Sequence, residues 1–95
     1  MKPFTQGANI NGTGLQGYVT AYYSQLVDIF GEPTWGPNDS GHDKVTCQWS
    51  LTFKDGTVAT IYDWKEFETP FSEYKWHVGG HDSQALTKIL EVFHV

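Results

Sequence analysis

VTCQWSLTFKDGTVATIYDW, residues 45–64, decides the fold. Over residues 45–53 the pattern alternates without a break. Val45, Cys47, Trp49, Leu51 and Phe53 fall on one side, and Thr46, Gln48, Ser50 and Thr52 on the other. A period of two is that of an extended strand with one buried face and one polar face. TVATIYDW reads as a second strand, and KDG between the two makes the pair a β-hairpin.

The turn sets which face the next rings occupy. A two-residue Asp55-Gly56 loop puts Tyr62 and Trp64 on the apolar side. A three-residue Lys54-Asp55-Gly56 loop, closed by a bulge at Gly56, moves every side chain of the second strand to the opposite face. Ala59 and Ile61 then lie over Leu51 and Trp49. Val58, Thr60, Tyr62 and Trp64 join Thr52, Ser50 and Gln48. Glycine in third position suits a type I turn followed by a bulge, so the longer loop is the reading adopted. It produces a face of hydroxyls and rings, which resembles a binding surface more than a core.

Upstream, KPFTQGANINGTGLQG is rich in glycine and polar residues and reads as an extended lead-in holding at most one short strand. In VTAYYSQLVDIFGEP, Val19, Tyr22, Tyr23, Leu26, Val27 and Phe30 share one helix face. Thr20 is the candidate N-cap, Gly31 the C-cap, and Pro33 prevents continuation. TWGPNDSGHD is a loop by composition. Downstream, KEFETPFSE is an excursion, YKWHV a third strand, and Gly79-Gly80 its end. Asp82 or Ser83 caps a last helix whose apolar face is Ala85, Leu86, Ile89, Leu90 and Phe93. The expected fold is α+β: a small antiparallel β-sheet with two helices packed on one face, in the order (β)αβββα.

Ninety-five residues form a single domain, 1–95. Aromatics make up 16% of the chain, more than a core of this size buries, so some rings belong on a binding surface or a subunit interface. The formal charge of −5 argues against a duplex DNA or RNA binder. It is compatible with an acidic decoy for a nucleic-acid-binding protein. Cys47 is the one cysteine, so no internal disulfide forms and the expected compartment is the cytoplasm. No apolar leader and no membrane-length apolar run is present.

Two constellations bear on function. In WHVGGH, residues 76–81, the glycines either let backbone approach a ligand at a helix entry or simply make the turn. Trp76 offers a stacking face, and His77, Gly79, Gly80 and His81 offer donors. In IYDWK, Tyr62 and Trp64 supply contact area, Asp63 an acceptor for a base amine, and Lys65 a phosphate contact, or the stretch is an ordinary amphipathic strand. His42, Cys47, His77, His81 and Asp82 fit no metal-ligand frame, so no metal or other cofactor is expected. Cys47 sits among core residues, no carboxylate pair marks a cleft, and no Walker pattern occurs, so binding is favoured over catalysis.

NGTGLQGY, FGEP, KVTCQWSLTFKDGTVATIYDWK and WHVGG, in this order, resemble a widespread group of small phage-encoded proteins. The resemblance spans nearly the whole chain, and it is to phage anti-CBASS sponge proteins, which sequester cyclic oligonucleotide immune signals. It implies a non-enzymatic homo-oligomer, dimer or tetramer, in the host bacterial cytoplasm, with pockets at or near subunit interfaces. Its ligand is a cyclic oligonucleotide, with no duplex nucleic acid and no membrane as partner. Stacking would fall to Tyr62, Trp64, Trp76 and Trp35, and phosphate contacts to Lys44, Lys65, His77 and the backbone of Gly79–His81. Base edges would fall to Asn11, Thr13, Gln16, Gln48 and Asp63. The competing expectation is an acidic inhibitor that binds a host defence complex, of anti-CRISPR or anti-restriction type.

Overall fold

A computed structural model describes residues 3–37 and 44–93 of the chain. Residues 38–43 of the TWGPNDSGHD loop, His42 among them, lie outside the described residues. The elements are β1 (Phe4–Gln6), β2 (Gly14–Ala21), α1 (Tyr23–Phe30), β3 (Gln48–Phe53), β4 (Val58–Tyr62), β5 (Tyr74–Gly80) and α2 (Gln84–Phe93). The strands form one sheet in the order β1-β3-β4-β5-β2, and every neighbouring pair is antiparallel. The fold is α+β, as expected. The helices cover one face, with Leu26 and Phe30 of α1 and Ala85 and Ile89 of α2 in the same buried cluster as the inward residues of the strands.

The hairpin has the longer loop. Leu51 pairs with Ala59, Trp49 with Ile61 and Gln48 with Tyr62. Gly56 takes φ +91°, its N–H donates to Phe53 O at 2.9 Å, and Phe53 N–H donates to Thr57 O at 2.8 Å. Tyr62 therefore lies on the face opposite Trp49, together with Ser50 and Thr60. β3 itself starts later than the alternation suggests. It begins at Gln48, and Val45 turns to the polar side beside Tyr62 and Trp64.

The largest correction is β2. Val19 and Ala21 are buried and alternate with exposed Tyr18 and Thr20, which is strand periodicity rather than the first turn of a helix. The eight-residue strand pairs with β5 along its length, with a bulge between Leu15 and Gly17. That irregularity and two glycines, Gly14 and Gly17, hide it from pattern reading. Thr20 is thus a strand residue and not a cap. The helix opens at Tyr22 instead, whose carbonyl accepts from Gln25 N–H and Leu26 N–H at 3.0 and 3.3 Å. Gln25 Oε1 returns the bond by accepting from Tyr22 N–H at 2.7 Å. At the other end Gly31 adopts φ +87° and donates to Val27 O at 2.8 Å, as a C-cap glycine does.

Gly79 and Gly80 do not end β5. They are its last two paired residues, opposite Thr60 and Ala59 of β4 and Leu15 and Gly14 of β2. A Cβ on Gly80 would stand 2.2 Å from the Ala85 Cβ, so this glycine is what lets α2 rest on the sheet. The entry to α2 is satisfied internally. Asp82 Oδ1 accepts from Gln84 N–H at 2.9 Å, and Ser83 O accepts from Thr87 N–H at 3.1 Å.

The core is built on two tryptophans. Trp49 and Trp76 meet edge to face at 5.6 Å and are both fully buried. Their indole N–H groups donate to Gly31 O at 2.8 Å and Ala21 O at 3.0 Å. Phe4 packs on Phe30 and Phe53, closing the β1 edge. No helix among the described residues is long and apolar enough to cross a membrane.

One ion pair ties the hairpin to α2. Lys88 Nζ lies 3.0 Å from Asp55 Oδ2. The Thr57 N–H, first, and Lys88 hold the Asp55 carboxyl at about 2, below its ordinary 3.8. A depressed folded value means that the contribution is present above about pH 3.8 and fades as pH falls toward 2. Urea midpoints measured down this range should fall more steeply for the native chain than for Asp55→Asn. The difference should be small, because both groups are at the surface.

Candidate functional site

The uncovered face of the sheet carries a row of rings. Tyr18 of β2, His77 of β5 and Tyr62 of β4 are cross-strand neighbours in register. Their centroids are 5.0 Å apart for Tyr18–His77 and 5.4 Å for His77–Tyr62. Trp64, just past β4, extends the row at 6.4 Å from Tyr62 and 6.3 Å from His77. The cross-strand spacing of an antiparallel sheet is what brings rings into contact across three strands. Lys75 holds its ammonium 4.5 Å from the centre of the Tyr18 ring.

Two recesses open on this row. One of about 470 Å³ is lined by Leu15, Tyr18, Tyr62, Trp64 and His77. The other, about 200 Å³, shares Tyr62 and Trp64 and adds Ile10, Thr13, Gln48 and Thr60. The lead-in before β2 reaches the sheet here, since Ile10 and Thr13 line the same recess as Gln48 and Thr60. Gly79 forms part of the floor. A Cβ there would meet Thr60 Oγ1 at 2.6 Å and Tyr62 Cε1 at 3.3 Å, so only glycine leaves the recess open.

The electrostatics of the row are nearly neutral. Burial, first, and Lys75 push the His77 pKa below its ordinary 6.5 against the pull of Asp63 and Glu66, so the imidazole is uncharged at pH 7. Its Nδ1 is buried and finds no hydrogen-bond partner among the described residues. Burial raises the Tyr62 pKa, which keeps its phenol protonated and able to donate. Such a surface offers flat faces and a few polar groups rather than a concentrated charge.

The residues singled out from the sequence separate into three groups. Tyr62, Trp64, His77, Gly79 and Thr13 converge on the recesses. Lys44 and Lys65 are exposed and joined through the backbone, Lys65 N–H donating to Lys44 O at 2.7 Å. Gln16 lies in the β2 bulge, where its amide donates to Gly80 O at 3.1 Å. The remaining three point elsewhere. Trp76 is sealed in the core and presents no stacking face, and Gly80 faces α2. Asp63 is fully buried, with Oδ1 accepting from Thr46 N–H at 2.7 Å and Cys47 N–H at 3.3 Å. Its Oδ2 accepts from the Thr46 hydroxyl at 2.6 Å, so it has no face to offer a base. Thr69 completes the group by donating to Thr46 Oγ1 at 2.7 Å, because the one Thr46 hydroxyl proton is already given to Asp63.

Of the other stacking and edge candidates, Trp35 is half-buried and pairs its backbone with that of Gln48. Gln48 is buried and donates to Ser50 Oγ at 3.1 Å. Cys47 has its pKa pushed up to about 12 by burial, first, and by Asp63, so it stays a thiol. Among the described residues no group of three His, Cys, Asp or Glu is placed to hold a metal ion. Sequence reasoning missed Tyr18 and Leu15, which β2 delivers to the row. The alternation of Tyr18 and Thr20 with Val19 and Ala21 was the available signal.

Comparison of the chain with family models, curated proteins and solved structures finds no match.

Proposed function

We propose that this chain binds a cyclic di- or trinucleotide on the open face of its sheet and holds it without cleaving it. The observation that carries the reading is the Tyr18–His77–Tyr62–Trp64 row, four neighbouring rings beside an open recess of about 470 Å³. Bases stack on aromatic faces irrespective of sequence, at roughly 1–3 kcal/mol each. The neutral row suits stacking, and Lys75, whose ammonium lies over the Tyr18 ring, is the cation at hand for a phosphate, with exposed Lys44 and Lys65 as further candidates. The net charge of −5 opposes an anion at long range, but screening confines that repulsion to about 8 Å at physiological salt. The buried Asp63 and the high-pKa Cys47 are committed to structural roles, which favours retention over chemistry.

Capture of this kind lowers the free concentration of a signal. On the motif resemblance, the proposed setting for this capture is phage evasion of CBASS-type immunity inside a host bacterium. Leu15, Tyr18 and Trp64 remain 50%, 42% and 41% exposed around the recess, which supports a homo-oligomer. The test is a panel of cyclic di- and trinucleotides scored by thermal shift, with mass spectrometry of what heat denaturation releases. A large shift with intact ligand recovered is the expected result. A degraded ligand would mean catalysis, and no shift with any member would overturn the reading. Trp64→Ala should weaken the best ligand by about 5–150-fold while circular dichroism stays unchanged, since this ring is outside the core. Unchanged affinity would remove Trp64 from the site.

A further inference from the structure

The β4–β5 connection, residues 63–73, contributes Trp64 to the ring row and, beyond Lys65, carries a second surface of different chemistry. It is pinned at several points. Asp63 is locked beneath Thr46, Thr69 is buried on the Thr46 hydroxyl, and Phe71 packs edge to face on Tyr23 at 4.8 Å. The Tyr74 hydroxyl sits against Trp64 N–H and Glu66 Oε2, each at 3.2 Å. Lys65 takes φ +59°, a left-handed conformation uncommon for a residue with a side chain. Phe67 stands 87% exposed between Glu66 and Glu68, and Phe71, 55% exposed, and exposed Glu73 lie on the same connection. A phenylalanine left almost wholly in water on an anchored loop gains nothing for the fold.

We propose that this loop is a preorganised anchor for a protein partner whose apolar pocket is rimmed by Lys or Arg. Phe67 is the insert, because an aromatic held in place before binding loses little conformational freedom on docking. The partner's charge follows from complementarity: residues 64–73 hold three glutamates against Lys65 alone, within a chain of net charge −5. The same glutamates argue against a second copy of this chain, which would bring like charge to like, and against anionic lipid or nucleic acid.

The experiment is selection of random short peptides displayed against the immobilised full chain, followed by titration of the winning synthetic peptide. The expected consensus is an apolar cluster flanked by Lys or Arg. Phe67→Ala should weaken that peptide by about tenfold or more, with unchanged circular dichroism because the ring is outside the core. Glu66→Gln with Glu68→Gln should slow association and flatten its dependence on salt. Enrichment of acidic or uncharged peptides, no enrichment, or equal binding by Phe67→Ala would each overturn the proposal. So would sedimentation showing that Phe67→Ala dissociates an oligomer, which would assign the loop to a second copy. Nucleotide binding by Phe67→Ala should remain native, so failure here and failure of the ring-row reading are separable.

Discussion

Trp76→Ala should cost the domain about 3–5 kcal/mol, enough to leave much of it unfolded at 37 °C. The ring is fully buried, touches Trp49 and Tyr74 edge to face, and ties its indole N–H to Ala21 O. Truncation removes the apolar burial, leaves a cavity in the core beside Trp49 and Tyr74, and strands the Ala21 carbonyl. Urea unfolding followed by tryptophan fluorescence and far-ultraviolet circular dichroism measures it. The result matters for function as well. From sequence, Trp76 is a stacking candidate, and loss of ligand binding by Trp76→Ala would look like support for that role. In this structure such a loss reports unfolding. A variant that keeps its native midpoint yet fails to bind nucleotide would overturn the buried assignment.

Asp63→Ala should be nearly as damaging, by about 3 kcal/mol or more. It strips the acceptor from Thr46 N–H, Thr46 Oγ1 and Cys47 N–H at once, and each buried unsatisfied group costs roughly 1–3 kcal/mol. The loss should spread beyond one contact, because the same carboxylate organises Thr69 and hence the 63–73 loop. Asp63→Asn keeps an amide oxygen to accept from the backbone and should recover part of the stability. Equal midpoints for the native chain and Asp63→Ala, in chemical denaturation, would show that the network contributes little.

These two residues mark where sequence reading stops. Both sit in stretches that look like ligand sites by composition. Trp76 is one residue from His77, and Asp63 one residue from Trp64. In a strand, neighbours in sequence face opposite ways, so a cluster of functional-looking residues divides between core and surface. His77 and Trp64 reach the open face, and Trp76 and Asp63 do not. The hairpin resolved half of this in advance: the Lys54-Asp55-Gly56 loop sets the register, which puts Tyr62 opposite Trp49's face without any tertiary information.

β2 shows the converse limit. Gly14, Gly17 and the bulge before Gly17 break its alternation, while Val19, Tyr22 and Tyr23 fit a helical spacing by coincidence with the helix that follows. Local periodicity favours one continuous helix. What overrides it is pairing with β5 along the strand, a long-range contact that no window of sequence contains. With β2 in place, Tyr18 arrives beside His77 and the ring row acquires its third strand.

The sequence by itself determined the class of fold, the β3–β4 register, the buried faces of β3 and α2 and the glycine stop of α1. Each follows from periods and turn chemistry within a few residues. Only the tertiary structure decided which rings meet. Gly79 and Gly80 became the points where a recess floor and a helix contact fit, Asp63 became a buried acceptor, and Phe67 became the exposed tip of an anchored loop. The physical reason is the same in each case: a side chain's role depends on what packs against it from distant parts of the chain, and the pleat only assigns it a side.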